Sequence, residues 1–361
     1  MTDNNTITAK QMMRFTFICQ TGVGVINLPA LLAKEVGHDG WISVAVSGII
    51  AMFLASLIVV LLRRYFDKSI FDITRLIFGK IIGFIINALL CIYFFLVASS
   101  GLMMFLNYLK ITLFPNTPSI VMAPLTMLPS VYMVWQGTKT VARFKSIALF
   151  SYMLVIIYLI LLIKEMRFSF LLPVGESGLP ALFSSLKTAF FAYIGLELIA
   201  VFYPEISDKE NALKYHVRAT VYSMLFVMLV VVACTALFGE NFLSVLNIPL
   251  FNLSRVFHAP IIERVDVYLI SAWLLAVGCS TRAYLMAAYY SIEKVFKLKK
   301  SRIFYTLFIC ADIGLSQLIV DINKAFMILD IIGWVGIGVI IFIILCLVLS
   351  MFRKNGVAEN G

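Results

Sequence analysis

The chain has 361 residues, of which 62% are hydrophobic and only 13% charged, with a mean hydropathy of +1.00. A soluble domain of this length does not need so much apolar surface, so composition excludes one and points to lipid-facing helices. The formal charge of +10 does not mark a nucleic-acid binder, because the lysines and arginines gather in short loops between apolar runs.

One spanning helix takes about 20 mostly apolar residues. Ten such segments are predicted, at residues 11–35, 41–62, 82–109, 118–136, 142–163, 180–203, 215–238, 266–291, 303–321 and 327–352. The loops are short and no stretch reads as a separate soluble domain, so one polytopic membrane domain is expected over residues 1–361. The polar start, Met1 to Lys10, predicts no cleavable signal peptide.

Segment one breaks in its middle, at Gln20-Thr21-Gly22-Val23-Gly24-Val25-Ile26-Asn27-Leu28-Pro29. Unwound backbone is tolerated in a bilayer only when it is buried in protein or lines a wet cavity. Gly22 and Gly24 let backbone amides face a ligand, and a half-helix starting near Val25 turns its positive end to the same place. An amino-acid carboxylate suits that position. The same small-x-small pattern also serves close helix packing.

Segment three carries Tyr93 and then Val97-Ala98-Ser99-Ser100-Gly101, a narrow face suited either to a pocket wall or to packing. Segment six repeats the interruption of segment one at Ala192-Tyr193-Ile194-Gly195-Leu196-Glu197, with Pro204 beyond it. Thr21 and Tyr193 flank the two breaks and join the candidate ligand contacts. Two broken segments at corresponding places in two halves are the strongest sequence pointer to a site in a transporter-type fold. Glu197 has three open roles: contact with a substrate amine, a proton relay, or acceptance of the unwound backbone's amides. Lys187 is expected to snorkel outward.

Segment eight holds Ser280, Thr281 and Arg282. Arg282 is expected to pair with Glu197 or with Asp312 of segment nine, as a fixed internal ion pair or as a gate. The two hydroxyls suit a ligand, a sodium ion, or the carbonyls of the preceding turn. Asp330, Gly333 and Trp334 in segment ten form a further candidate wall. Short amphipathic helices or ordered loops are expected at 66–78 and 240–264.

Of the 29 lysines and arginines, twenty fall on one side of this segmentation and seven on the other, with Lys187 and Arg282 inside segments. The richer side is therefore the cytoplasmic one, and it holds both termini. Segments one to five (about 8–163) and six to ten (about 180–353) start from opposite sides, as an inverted repeat of five plus five demands.

Cys19, Cys91, Cys234, Cys279, Cys310 and Cys346 lie inside apolar segments and read as packing residues. His38, His216 and His258 form no ligand motif. No nucleotide-binding loop, zinc motif, nucleophile elbow or haem motif is present, so no enzyme, cofactor or metal centre is expected. No ring of like side chains suggests a channel filter.

Three stretches together carry a resemblance: Gly22-Val23-Gly24-Val25-Ile26-Asn27-Leu28-Pro29, then Gly195-Leu196-Glu197 with Pro204-Glu205, then Ile262-Glu263-Arg264-Val265-Asp266. From about Thr8 to Arg353 the chain resembles the spore germination protein AB family, the B subunits of spore germinant receptors, within the amino acid–polyamine–organocation superfamily. The resemblance implies an all-α, LeuT-like fold and sensing of a small nutrient, commonly an amino acid, in the spore inner membrane. It implies an A-type subunit and a lipoprotein C-type subunit as partners, with the lipid bilayer around them and no nucleic acid. By position it puts the pocket on Gly22, Gly24, Val97, Ser100, Ile194, Gly195 and Thr281. Proton-coupled permeases of the superfamily often carry a lysine deep in segment five. Here that stretch holds Ser151 and Tyr152, which speaks against coupling by that route. An active amino-acid permease is the rival reading.

Overall fold

The computed structural model describes residues 6–136, 138–256, 265–296, 302–318 and 322–352. The Ile262-Glu263-Arg264 stretch and the tail from Arg353 lie outside the described residues.

Regular structure among the described residues is helical, apart from one isolated bridge between Ile7 and Ile206. Segment one is α1 (Ala9–Thr21) and α2 (Leu28–Val36), joined through a short 3-10 turn at Gly24–Ile26. Two glycines within three residues weaken the helix by about 1 kcal/mol each. Pro29 lacks an N–H and suits the first turn of α2, where that donor has no helical partner. Thr8 starts α1 with a capping box, donating and accepting with Gln11.

Then follow α3 (Gly40–Arg64), α4 (Ile70–Thr112), α5 (Ser119–Gln136) and α6 (Thr138–Leu161). Segment six is α7 (Gly178–Phe190), a turn at Phe191–Tyr193 and the short α8 (Leu198–Phe202). Gly195 sits there at φ +120°, a conformation that favours glycine, and Pro204 closes the stretch beyond α8. The remaining helices are α9 (Ala212–Val245), α10 (Pro249–Leu253), α11 (Val265–Phe296), α12 (Arg302–Ser316) and α13 (Ile322–Phe352).

Each of the ten predicted segments thus falls on a helix or on a broken pair of helices. Among the described residues, seven stretches are long and apolar enough to cross a membrane, and two shorter apolar helices, Ser119–Met133 and Ile303–Ser316, accompany them. The protein is a multi-pass membrane protein. Its outer surface is apolar as well as its core: Ile49, Phe53, Ile81, Leu125, Phe150 and Phe183 are exposed. Such side chains belong against acyl chains, where no water penalises them.

Both amphipathic loops contain helix. Residues 70–78 form the first turns of α4, which bends at Gly79 (φ +82°), with Ile70, Phe71 and Ile73 turned inward. Residues 240–245 continue α9 past a bend at Gly239 (φ +68°), and α10 follows with Leu250, Phe251 and Leu253 buried. The covered parts pack on the bundle ends.

Two tethers hold the broken segments at opposite faces. At the face where the chain begins, called the near face here, Ile7 exchanges backbone bonds with Glu205 and Ser207, and the Ala9 N–H donates to Asp208 at 2.6 Å. At the far face, the turn between α2 and α3 grips the loop that precedes α7. His38 places Nδ1 2.7 Å from the Glu240 carboxylate and Nε2 2.7 Å from the Pro173 carbonyl. Glu176 lies 3.8 Å from Nε2. Asp39 accepts from the Gly175 and Ser177 amides and from the Ser177 hydroxyl.

These partners set the charge state of the far-face tether. Burial works to lower the His38 pKa, but the Pro173 carbonyl, Glu240 and Asp39 outweigh it, leaving the group above its usual 6.5. Burial works to raise the Asp39 pKa, but the donors from Gly175 and Ser177 and the nearby His38 outweigh it, leaving the group below 3.8. The His38 contribution is therefore complete below pH 6.5 and is lost as pH rises through its folded pKa. The Asp39 contribution is complete above pH 3.8 and is lost as pH falls through its folded pKa. Comparing wild type with His38→Gln by thermal unfolding from about pH 5 to about pH 9 is expected to show a gap that is widest at the acid end and narrows with rising pH. A gap that widens with pH contradicts the charged tether.

Candidate ligand-binding site

A cavity of about 300 Å³ lies between the two breaks. Such a volume suits a small ligand, since drug-sized molecules occupy sites of about 300–1,000 Å³. Segment one supplies Cys19, Gln20, Val23, Gly24 and Asn27, and α2 adds Leu28, Leu31 and Glu35. Val97, Ser100 and Gly101 come from α4, and Thr188, Phe191, Ala192 and Ile194 from segment six. Ser280, Thr281 and Tyr284 come from α11, and Phe326, Leu329, Asp330 and Gly333 from α13. The exposed members Leu31, Glu35 and Asp330 lie toward the far face, so the cavity opens there. On the near side the rings of Phe15, Phe202 and Tyr290 pack against one another.

Gly24, Val97, Ser100, Ile194, Ser280 and Thr281 from the sequence candidates share this wall, as do Asp330 and Gly333. Thr21, Gly22, Tyr93, Tyr193 and Gly195 stand behind it. The two glycines of segment one divide their roles. A Cβ on Gly24 would meet nothing within 4 Å, whereas one on Gly22 would lie 2.7 Å from the Ser280 Cβ. Gly22 is therefore a packing glycine that lets α1 approach α11, and its carbonyl accepts from the Trp273 indole at 3.2 Å. Gly195 packs in the same way against Cys19, 3.1 Å from a Cβ built on it. Trp334 lies behind Phe191, with ring centroids 6.2 Å apart.

The residues behind the wall hold the breaks in shape. Thr21 donates to the Phe17 carbonyl, and its hydroxyl meets the Tyr152 hydroxyl at 2.7 Å. Tyr193 donates to the Val44 carbonyl, and the Gln20 amide reaches the Tyr193 carbonyl. Gln20 also accepts from Ser223 at 2.5 Å, so one side chain ties both breaks to α9. Glu197 is fully buried. One of its oxygens accepts from the Tyr93 and Tyr284 hydroxyls, both at 3.0 Å, and the other accepts the Gly195 N–H at 2.8 Å. Of its three open roles the geometry matches acceptance of unwound backbone. Two tyrosines shield the carboxylate from the cavity, and Tyr284 is itself part of the wall.

Arg282 corrects an expectation, since it pairs with neither Glu197 nor Asp312. Its Nε donates to the Ser130 hydroxyl at 3.0 Å, its NH2 to the Thr126 carbonyl at 2.9 Å, and its guanidinium lies over the Phe144 ring. The reason is local to α5: the stretch between Pro124 and Pro129, where the Ile120 and Leu125 carbonyls lose their helical N–H, stands beside Arg282 and offers it the Thr126 carbonyl and the Ser130 hydroxyl. An unsatisfied carbonyl is costly in a bilayer, and Arg282 supplies donors to that stretch. Asp312 accepts from Ser99 at 2.5 Å instead.

The hydroxyls considered for sodium are committed to backbone. Ser280 donates to the Cys19 carbonyl and Thr281 to the Val277 carbonyl. The carbonyls of Cys19 and Gly22, which face α11, accept a hydroxyl and an indole N–H, and the two hydroxyls keep their lone pairs. Tyr152 of segment five bonds Thr21 and packs on Trp273, so neutral groups join segments one, five and eight.

Sequence reasoning missed Glu35, Thr188, Phe191, Tyr284 and Phe326. Tyr284 was within reach, because it follows Ser280 and Thr281 by four and three residues on one helix face. Glu35 and Phe326 carry no comparable signal, since only the tertiary arrangement turns them toward the breaks.

A sequence profile described as Spore germination protein matches residues 6–327. Spore germination protein B2 of Bacillus subtilis (strain 168) is 23% identical over 343 residues, covering 92% of each chain. Spore germination protein A2 of the same strain is 27% identical over 288 residues, covering 77% of each chain. GerQB of Bacillus cereus, a spore germination protein, is 24% identical over 254 residues, covering 70% of each. Among solved structures, a substrate-bound, outward-open Na+-coupled sialic acid symporter matches at a TM-score of 0.62 and 13% identity, covering 98% of this chain and 79% of the other. A nucleobase-cation-symport-1 family transporter, closed around bromovinylhydantoin, matches at a TM-score of 0.58 and 12% identity, covering 87% and 72%. At such identities these two show a shared transporter fold.

Proposed function

The chain belongs to the spore germination protein family, and from that premise we propose that it is the nutrient-sensing membrane subunit of a spore germinant receptor. The cavity between the two helix breaks carries this reading. A small nutrient, an amino acid in the first instance, enters from the far face and rests among Gly24, Val97, Ser100, Ile194 and Thr281. Ten spans in an inverted five-plus-five arrangement, with both termini in the cytoplasm, make the far face the outer one. The matching breaks support that arrangement, and so do the helical loops that follow the second segment of each half, at 70–78 and 240–253. The spore inner membrane houses the protein beside an A-type subunit and a C-type lipoprotein.

Ligand binding is read out as a shift between two arrangements of the bundle, and its size is set by the ligand's differential affinity for them. Tyr284 is the link. It touches the cavity, and through Glu197 it connects α4, α11 and the break in segment six.

Spores lacking this chain are expected to lose their response to one nutrient among amino acids, sugars and nucleosides, and to regain it on complementation. An unchanged response to every nutrient contradicts the sensing role. The fold shared with symporters favours one alternative, an amino-acid permease. Gradient-driven accumulation of labelled amino acid by the purified chain in liposomes would establish that reading instead.

A further inference from the structure

A second recess, of about 420 Å³, lies on the outside of the bundle between α1, α6 and α9. All three helices run away from the near face. α1 and α9 begin side by side, where the Ala9 N–H meets Asp208, and α6 ends at the far face, where Tyr158 donates to the Ser254 carbonyl. The groove is graded along that direction. Lys10 and Arg14, one turn apart on α1, line its near end. Deeper in, the floor is a cluster of rings. Phe17 and Tyr152 have centroids 4.7 Å apart, and Phe226 lies 5.0 Å from Tyr152 and 6.2 Å from Phe17. Leu225 and Leu229 on α9 and Ile156 on α6 are exposed along its edges, so the groove opens sideways to the bilayer. No carboxylate of the described residues lines it. Arg218, one turn before Tyr222 on α9, is exposed at the same end.

We propose that this groove binds one anionic glycerophospholipid from the near-face leaflet, its phosphate beside Lys10 and Arg14 and an acyl chain along Phe17, Tyr152 and Leu225. A cation at the end of a spanning segment is ordinarily a topology signal that snorkels to the interface. Here two cations cap a recess whose deeper wall is apolar, which is the chemistry of a lipid with a charged head. A phosphodiester brings only acceptors, and the two side chains bring only donors. A zwitterionic lipid carries its own cation to the same end and gains less. From Lys10 to Phe17 the helix rises about 10 Å, against about 15 Å of hydrocarbon in one leaflet, so the groove holds much of a chain. The occupant also bears on the break in segment one. Tyr152 meets the Thr21 hydroxyl, and Trp273, stacked on Phe226, donates to the Gly22 carbonyl. A chain lying on these rings braces α1 against α6 and α9.

Native mass spectrometry of the purified full chain, titrated in detergent with dioleoyl phosphatidylglycerol or dioleoyl phosphatidylcholine, measures the first lipid bound. Each cation near a membrane surface favours an anionic lipid by about 5-fold, so the pair is expected to favour phosphatidylglycerol by about 25-fold. Lys10→Gln is expected to leave about 5-fold, and Lys10→Glu, which also adds a repulsion, to leave no preference. Lys10 is exposed and a glutamate suits the first turn of a helix, so the fold is expected to survive both changes, with thermal unfolding in phosphatidylcholine as the check. Equal binding of the two lipids by the parent chain overturns the proposal, as does a preference that survives Lys10→Glu.

A second arm tests the groove apart from its charge. Leu225→Trp puts a ring into the recess from an exposed edge and leaves both cations in place. It is expected to weaken phosphatidylglycerol binding by about 10-fold or more. Unchanged binding there places the lipid elsewhere and overturns the proposal. Glycerol 3-phosphate, which has the charge without the chains, is expected to leave bound phosphatidylglycerol in place. Displacement by it would mark a free-phosphate site and overturn the lipid reading.

Discussion

Gly24→Phe is expected to abolish the nutrient response, or to raise the concentration required by about 100-fold or more, while leaving the protein at its normal level in the spore membrane. The asymmetry comes from where the side chain goes. A Cβ at Gly24 points into open space, and the backbone there has no positive φ to strain. The side chain starts in the cavity, with no protein atom within 4 Å of its Cβ, and takes room that a ligand needs. Gly22→Val is the informative contrast, because its Cβ starts 2.7 Å from the Ser280 Cβ. Overpacking of that kind costs about 1–3 kcal/mol, so the level of folded protein is expected to fall together with the response. Immunoblots of spore membranes beside an optical-density germination assay separate the two outcomes. A normal response in Gly24→Phe spores contradicts the position of the site.

Glu197→Ala is expected to be the most destabilising single change near the breaks. It leaves two tyrosine hydroxyls and the Gly195 N–H without their acceptor in a fully buried place. Each stranded donor costs about 1–3 kcal/mol, and the three together amount to several. Glu197→Gln is expected to be milder, since its carbonyl still accepts from one side while its amide nitrogen confronts a donor on the other. Tyr93→Phe and Tyr284→Phe each remove one donor without stranding the carboxylate and are expected to cost about 1 kcal/mol. Tyr284→Phe is also expected to alter the nutrient response, because Tyr284 lies on the cavity wall and Tyr93 does not. Thermal unfolding of the four variants in one detergent gives the ranking. A Glu197→Ala protein as stable as wild type rules out the clamp.

A consequence for transmission follows from the same contacts. Among the side chains that join the broken segments to their neighbours, Gln20 reaches α9 and Glu197 reaches α4 and α11. The cavity of the proposed ligand site touches both bridges, at Gln20 and at Tyr284.

Sequence by itself determined the helical class, the segment positions and the two breaks. The reason is that bilayer thickness demands long apolar runs, and that glycine and proline interrupt a helix wherever they occur. The family resemblance also put Gly24, Val97, Ser100, Ile194 and Thr281 together at one pocket. Rotation about each helix axis is a different quantity, and only the tertiary structure decided it. It turned Gly24 to the cavity and Gly22 to Ser280. It gave Glu197 to two tyrosines and Arg282 to the proline-interrupted α5, though depth alone allowed the two charges to meet. It also brought Glu35 and Asp330, 295 positions apart in the chain, to one opening. Apolar residues surround most of these helices, so the hydrophobic pattern carries little record of which face looks inward. That choice is made by close packing of small residues and by the pairing of buried polar groups, both of which depend on neighbouring helices.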